Sequence, residues 1–173
     1  MKSAIEQLST YKSVHLNPKN IRTHFVGVPM IIWSIFTLLG CLRFQLSTIE
    51  FSAAMVFMLL VLGYYFILHA KLALGLMVFI IPVLLSSNYV AVETSHPLLI
   101  AISVFVIGWG IQFIGHKYEK AKPAFIDDLN QLLIGPFFLM AEVYFLLGWQ
   151  QQLEQDITPL ARDKRRALEA KLR

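Results

Sequence analysis

Between Phe25 and Gly115 the sequence carries only four charged residues, Arg43, Glu50, Lys71 and Glu93, in 91 positions. No ordinary soluble domain has such a stretch, because about a quarter of the residues of a soluble domain are charged. A disordered chain is excluded as well, since disorder goes with low hydrophobicity and high charge, whereas 57% of these 173 residues are hydrophobic. The remaining class is a single membrane-embedded domain over residues 1–173. Its parts are an N-terminal polar motif (1–24), a helix bundle (25–149) and a basic surface helix (150–173).

A helix needs about 20 apolar residues to cross a bilayer. Five runs qualify for scrutiny: Phe25–Leu42, Phe51–His69, Leu72–Val92, Pro97–Gly115 and Gln131–Trp149. Only Ala70-Lys71 separates the second and third, so they form a tight helical hairpin or a kinked pair. Basic residues cluster before the first run (Lys2, Lys12, Lys19, Arg22), after the fourth (Lys117, Lys120, Lys122) and in the tail, where six fall in the last twelve positions. Basic residues favour the cytoplasmic side of a membrane. An even number of crossings puts all these clusters, and both termini, on that side. A fifth full crossing would not. Pro136 suits the first position of a helix, and the 14 residues from there to Trp149 span only about 21 Å. The expected fold is therefore all-α: four crossings, a re-entrant or partly buried fifth apolar helix, and an amphipathic C-terminal helix. In that last helix Leu153, Ile157, Leu160, Leu168 and Leu172 mark the apolar face, and Glu169 pairs with Arg173.

The basic balance fits anionic lipid better than nucleic acid, and no nucleic-acid partner is expected. The lone Cys41 excludes an internal disulfide and any cysteine zinc site. Residues 1–24 have no apolar core of the kind a signal peptide needs. Hydrolase, phosphate-loop and zincin motifs are absent.

The histidines carry more information. His15 and His24 are nine residues apart and would face opposite ways on one helix. Asn17-Pro18 between them, however, reads as the cap and first residue of a new helix, so His15 is free to fold back toward His24. His116 and Glu119 share a face at i, i+3 spacing. Asp127 or Asp128 is a candidate cap for the fifth helix. Glu142 lies in an apolar run and needs a polar partner, for which a histidine, Arg22, a metal or a water would serve. His69 reads as an interfacial polar end or an additional ligand, and His96 as a helix-start residue. Imidazoles with carboxylates and no thiolate suit Fe(II), Zn or Mn. The residues alone leave three readings open: a metal-dependent lipid oxygenase, a haem-binding membrane protein with paired histidines, and a non-catalytic lipid-binding scaffold.

The two polar clusters resemble the fungal 2-hydroxy-fatty-acid dioxygenases and their bacterial relatives, which are multi-pass membrane proteins. The matching residues are His15, Asn17-Pro18, Asn20, His24 and Val28-Pro29, then Trp109, Gln112-Phe113, Gly115-His116, Glu119-Lys120, Pro123-Ala124, Asp127, Gln131, Pro136 and Glu142. The fungal motif has a neighbouring His–His pair where this chain has His15-Leu16. The resemblance implies Fe(2+)-dependent α-oxidation, in which a 2-hydroxy fatty acid and O2 give a fatty acid one carbon shorter. It implies His15, His24 and His116 as the iron ligands. Glu119, Asp127 and Glu142 would be catalytic carboxylates, completing the metal site or orienting an imidazole. Arg22, Asn17, Asn20 and Gln112 would contact the substrate. The expected location is the inner membrane in a bacterium or the endoplasmic reticulum in a eukaryote, with membrane lipid around the bundle.

Overall fold

A computed structural model describes residues 2–171. Among these the chain forms six α-helices, one two-stranded hairpin and one short 3-10 turn. The all-α expectation holds, with the hairpin as the one addition. The chain divides into two compact units, Phe25–Gln112 and the combination of Met1–His24 with Phe113–Arg173. Leu172 and Arg173, and with them the expected Glu169–Arg173 pair, lie outside the described residues.

The Phe25–Gln112 unit contains most of α2 (Pro18–Gly40), a hairpin of β1 (Arg43–Leu46) and β2 (Ile49–Ser52), all of α3 (Ala53–Glu93) and most of α4 (Pro97–Glu119). These three helices are long and apolar enough to cross a membrane. At 41 residues, α3 is not one rod. His69 has extended backbone (φ −164°, ψ 99°) inside it. Ser52, at its start, bonds through Oγ to Asn88 Oδ1 at 3.2 Å. In a straight helix those residues would be about 54 Å apart. The two arms therefore fold back on each other, which decides for the helical hairpin of the two sequence alternatives. The break falls at His69 itself. Its Nδ1 accepts from the Leu72 backbone N–H at 3.4 Å, so the imidazole caps the second arm much as Asn or Ser caps a helix.

Small residues bring α2 and α4 together. A Cβ on Gly27 would lie 2.9 Å from the Gly108 carbonyl oxygen, and one on Gly108 would lie 3.0 Å from Ile31. Such close approach is how apolar helices gain packing energy when no water is there to be expelled. In the hairpin Phe44 pairs with Phe51 and Leu46 with Ile49. These four share one face, while Arg43, Gln45 and Glu50 share the other, where Arg43 and Glu50 form an ion pair. Ser47 supplies the left-handed turn residue (φ 56°).

The other unit is built on α1 (Ala4–Lys12), α5 (Gln131–Leu146) and α6 (Gln151–Ala170). Ser3 caps α1, accepting from the Glu6 N–H at 3.2 Å. Both α5 and α6 pack on α1. The buried face of α5 includes Ile134, Phe137, Phe138 and Ala141, with helical spacing. At 16 residues it runs about 24 Å, short of a bilayer core. It starts at Gln131, five residues before the expected Pro136 start, which places Pro136 inside the helix. Asp128 shapes the turn before it by accepting from the Asn130 N–H at 3.0 Å. The tail helix α6 buries Leu153, Ile157 and Ala161. It is amphipathic as expected, but it is docked rather than merely solvated. The Lys164 ammonium donates to Glu6 O, Ser9 Oγ and Thr10 Oγ1 of α1 at 3.2, 2.9 and 2.6 Å.

Candidate metal centre

α1 ends at Lys12, and a short turn carries His15 before Asn17 starts α2. The Asn17 side chain accepts from the Lys19 N–H at 2.9 Å, so the expected cap forms. The turn folds His15 back against His24, one and a half turns into α2. The end of α4 brings His116 to both. The ring centroids lie 4.4 Å (His15–His24), 5.0 Å (His15–His116) and 5.1 Å (His24–His116) apart. Each ring offers a nitrogen within 4.8 Å of the other two. All three are buried, at 1%, 2% and 8% exposure. Gly115 allows the approach, because a Cβ there would overlap Thr23 Oγ1 and lie 2.5 Å from Asn20 Oδ1.

The hydrogen bonds define the tautomers. His15 Nδ1 lies 2.7 Å from the Tyr11 carbonyl oxygen and His24 Nδ1 lies 2.9 Å from that of Asn20, so each Nδ1–H donates to the carbonyl four residues earlier. Both Nε2 atoms are then bare lone pairs, and they face each other at 2.9 Å. Two acceptors at that distance repel unless a cation or a proton lies between them. Burial and the neighbouring His24 push the His15 imidazole well below its ordinary pKa, which disfavours the proton. In addition, His116 Nδ1 is buried with no hydrogen-bond partner. Three neutral imidazoles with lone pairs converging in a dry site make a donor set that fits a borderline divalent metal. The Tyr11 ring stacks flat on His15 (4.1 Å, 1°), and Phe138 closes in beside it at 5.7 Å. Both restrict the imidazole to one orientation.

Among the described residues the potential metal-binding group contains the three histidines alone. The expected carboxylates lie elsewhere. Glu119 is buried, and its oxygens accept from Leu16 N (3.1 Å), Asn17 N (2.8 Å), Asn20 Nδ2 (3.2 Å) and Arg165 Nη1 (3.2 Å). It thus fastens the turn that carries His15 to the helix that carries His116. Asp127 is exposed and pairs with Lys122 at 2.6 Å. Glu142 pairs with Lys12 at 2.5 Å, a partner absent from the expected set. Of the expected substrate contacts, Asn17 donates its Nδ2 to the Tyr118 carbonyl (2.9 Å). Asn20 donates to the Val14 carbonyl (3.1 Å) as well as to Glu119, leaving its Oδ1 unpartnered. Arg22 is exposed on α2. Gln112 belongs to the other unit, where it is buried with its Nε2 unpartnered. His69 is the cap inside α3, and His96 immediately precedes α4, its carbonyl accepting from the Ile100 N–H at 3.1 Å. Sequence reasoning missed Tyr11, although it lies four residues before a histidine. It also missed Arg165, which the sequence shows only as one cation of a basic tail.

Fold and site together define an all-α protein with helices apolar enough to span a bilayer and a buried three-imidazole cluster at the margin of two of them. The chain belongs to the Mpo1-like family. The sequence model of that family, described as 2-hydroxy-palmitic acid dioxygenase Mpo1-like, matches residues 1–147. The chain is also 34% identical over 150 residues to the 2-hydroxy-palmitic acid dioxygenase MPO1 of Saccharomyces cerevisiae, covering 86% of this chain and 83% of the yeast protein. No solved structure matches.

Proposed function

We propose that this protein is an Fe(II)-dependent dioxygenase that shortens a 2-hydroxy fatty acid by one carbon at a membrane surface. The observation that carries the proposal is the pair of facing Nε2 lone pairs of His15 and His24, with His116 beside them. Family membership supplies the reaction type, and the yeast relative's name supplies the substrate class. The reaction balances without a further reductant. A 2-hydroxy acid and O2 give the shorter acid, CO2 and water, the substrate losing four electrons and O2 gaining them.

His15, His24 and His116 would hold the ion. When bound, Fe(II) supplies open positions for the substrate's carboxylate and hydroxyl and the redox chemistry that O2 needs. The protein's own contribution is orientation. The Tyr11 and Asn20 carbonyls fix the Nδ1–H tautomers of His15 and His24, which keeps Nε2 available. Burial by Phe138 and Tyr11 excludes water from the face of His15. Arg22, exposed one turn or less from His24, is the proposed partner for the substrate carboxylate. The apolar helices suit the acyl chain. A haem reading is less well supported, since nitrogens 2.9 Å apart leave no room for a macrocycle between His15 and His24.

The test is anaerobic iron loading followed by O2 uptake with a 2-hydroxy fatty acid, with the product identified by mass. The expected result is about one iron per chain and loss of one carbon, with both iron and turnover lost in His24→Ala and His116→Ala. Full iron content and turnover in either variant would sink the ligand assignment.

A further inference from the structure

The three histidines come from three segments, and a single buried carboxylate ties two of them together. Glu119 is one turn beyond His116, and all four of its partners are donors. Three of these donors belong to the turn and first residues of α2 that follow His15. The fourth comes from Arg165 of α6, which lies beyond the stretch that the family's sequence model covers. Arg165 does more than add charge. Its Nη2 donates to the Glu119 main-chain carbonyl at 3.0 Å, at the end of α4 just before Lys120 turns left-handed (φ 55°). Its Nε donates to Glu169 at 2.6 Å, holding the guanidinium in place from its own helix. One planar group therefore grips both the side chain and the backbone of Glu119. A lysine ammonium also has several donors, but it lacks the planar fork that here meets Glu119 Oε1 and the Glu119 carbonyl from adjacent nitrogens while Nε holds Glu169.

We infer that Arg165 is a positioning residue for the metal centre: by orienting Glu119 it fixes the Leu16–Asn17 turn and with it the placement of His15 against His24 and His116. The inference rests on the metal reading above for its functional consequence, and on the hydrogen bonds alone for its structural one. Without Arg165 the buried carboxylate loses the one cation that pairs with it among the described residues, and an uncompensated buried charge favours rearrangement toward water. The Leu16 and Asn17 amides then lose their fixed acceptor. Lys164, the neighbouring α6 cation, docks α6 on α1 without touching Glu119. It is therefore the control for simple loss of helix docking.

The experiment compares Arg165→Met, Arg165→Lys and Lys164→Met in full-length protein in lipid nanodiscs. One readout is hydrogen exchange in the peptide containing Leu16 and Asn17. The other is anaerobic Fe(II) titration. The expected result for Arg165→Met is faster exchange of those two amides and an Fe(II) affinity lower by about tenfold, in the range seen when partners of metal ligands are removed. Arg165→Lys recovers only part of both, and Lys164→Met leaves the Leu16–Asn17 exchange near wild type. Unchanged exchange in Arg165→Met, or equal acceleration in Lys164→Met, overturns the positioning role. Failure of the wild-type protein to bind iron overturns the metal reading separately, while the exchange comparison still decides the role of Arg165.

Discussion

Lys12 reaches Glu142 across 130 residues of sequence, and the two side chains are 10% and 13% exposed. The ammonium also lies 5.7 and 5.6 Å from the rings of Phe138 and Phe145. The pair joins α1 to α5 behind Tyr11. Removing one member leaves the other as a buried, unmatched charge, which costs about 3–5 kcal/mol, whereas replacing both with apolar groups is often neutral. Glu142→Ala is therefore expected to lose about that much unfolding free energy in detergent, and Lys12→Met with Glu142→Leu to recover most of it. On the proposed iron reading, the double variant should bind Fe(II) as the wild-type protein does, since the Glu142 carboxylate is already paired with Lys12. Iron loss in a stably folded double variant would show that Glu142 serves the metal. At this scale the histidines were legible because the signal that brings them together is local: Asn17-Pro18 breaks the chain between His15 and His24. Lys12 and Arg165 were not legible. Their partners lie 130 and 46 residues away, and a cation beside a polar motif or in a basic tail carries no mark of which carboxylate it will meet.

The elements show the same division between local and distant causes. Apolar length announced α2, α3 and α4, and the cap at Asn17 was readable from the residue pair itself. The position of the α3 break was less so, because Ala70-Lys71 looks like the interruption while His69 makes it, its ring accepting from the Leu72 N–H. His69→Ala is expected to cost about 0.5–2 kcal/mol as a lost cap, and His69→Asn to restore most of that. Thermal unfolding measures both, and iron content should stay constant throughout. A fall in iron with His69→Asn would make this imidazole a ligand after all. The β hairpin is not legible in the sequence because Arg43 and Glu50 resemble a charged loop between spans. Its alternation, Phe44 and Leu46 against Ile49 and Phe51, runs for only two residues on each strand. The start of α5 was misplaced by giving Pro136 its commonest role. The structure keeps the proline inside the helix, where α5 buries Ile134 before it and Phe137 and Phe138 after it.

Across the whole molecule, the first 24 residues and the last 61 belong to one compact unit, while the 88 residues between them form another. This division explains why a charge-poor middle can coexist with a polar centre: the middle lies between the two ends that build the site. It also sets a parity condition. A chain that departs from a body and later rejoins it must traverse any intervening barrier an even number of times, whatever the barrier is made of. Three helices qualify by length as spans, an odd total that such an excursion forbids. If α2 and α4 each cross once, the two arms of α3 on either side of His69 would bring the total to four and meet that condition. The expected outcome is that reporters fused before Lys2 and after Lys171 respond from the same side of the membrane, and that a reporter in the Ser47–Thr48 turn responds from the other. The break in α3 at His69 thus acts as a topological hinge: two arms in place of one rod make an even number of crossings available to a chain whose two ends share one unit.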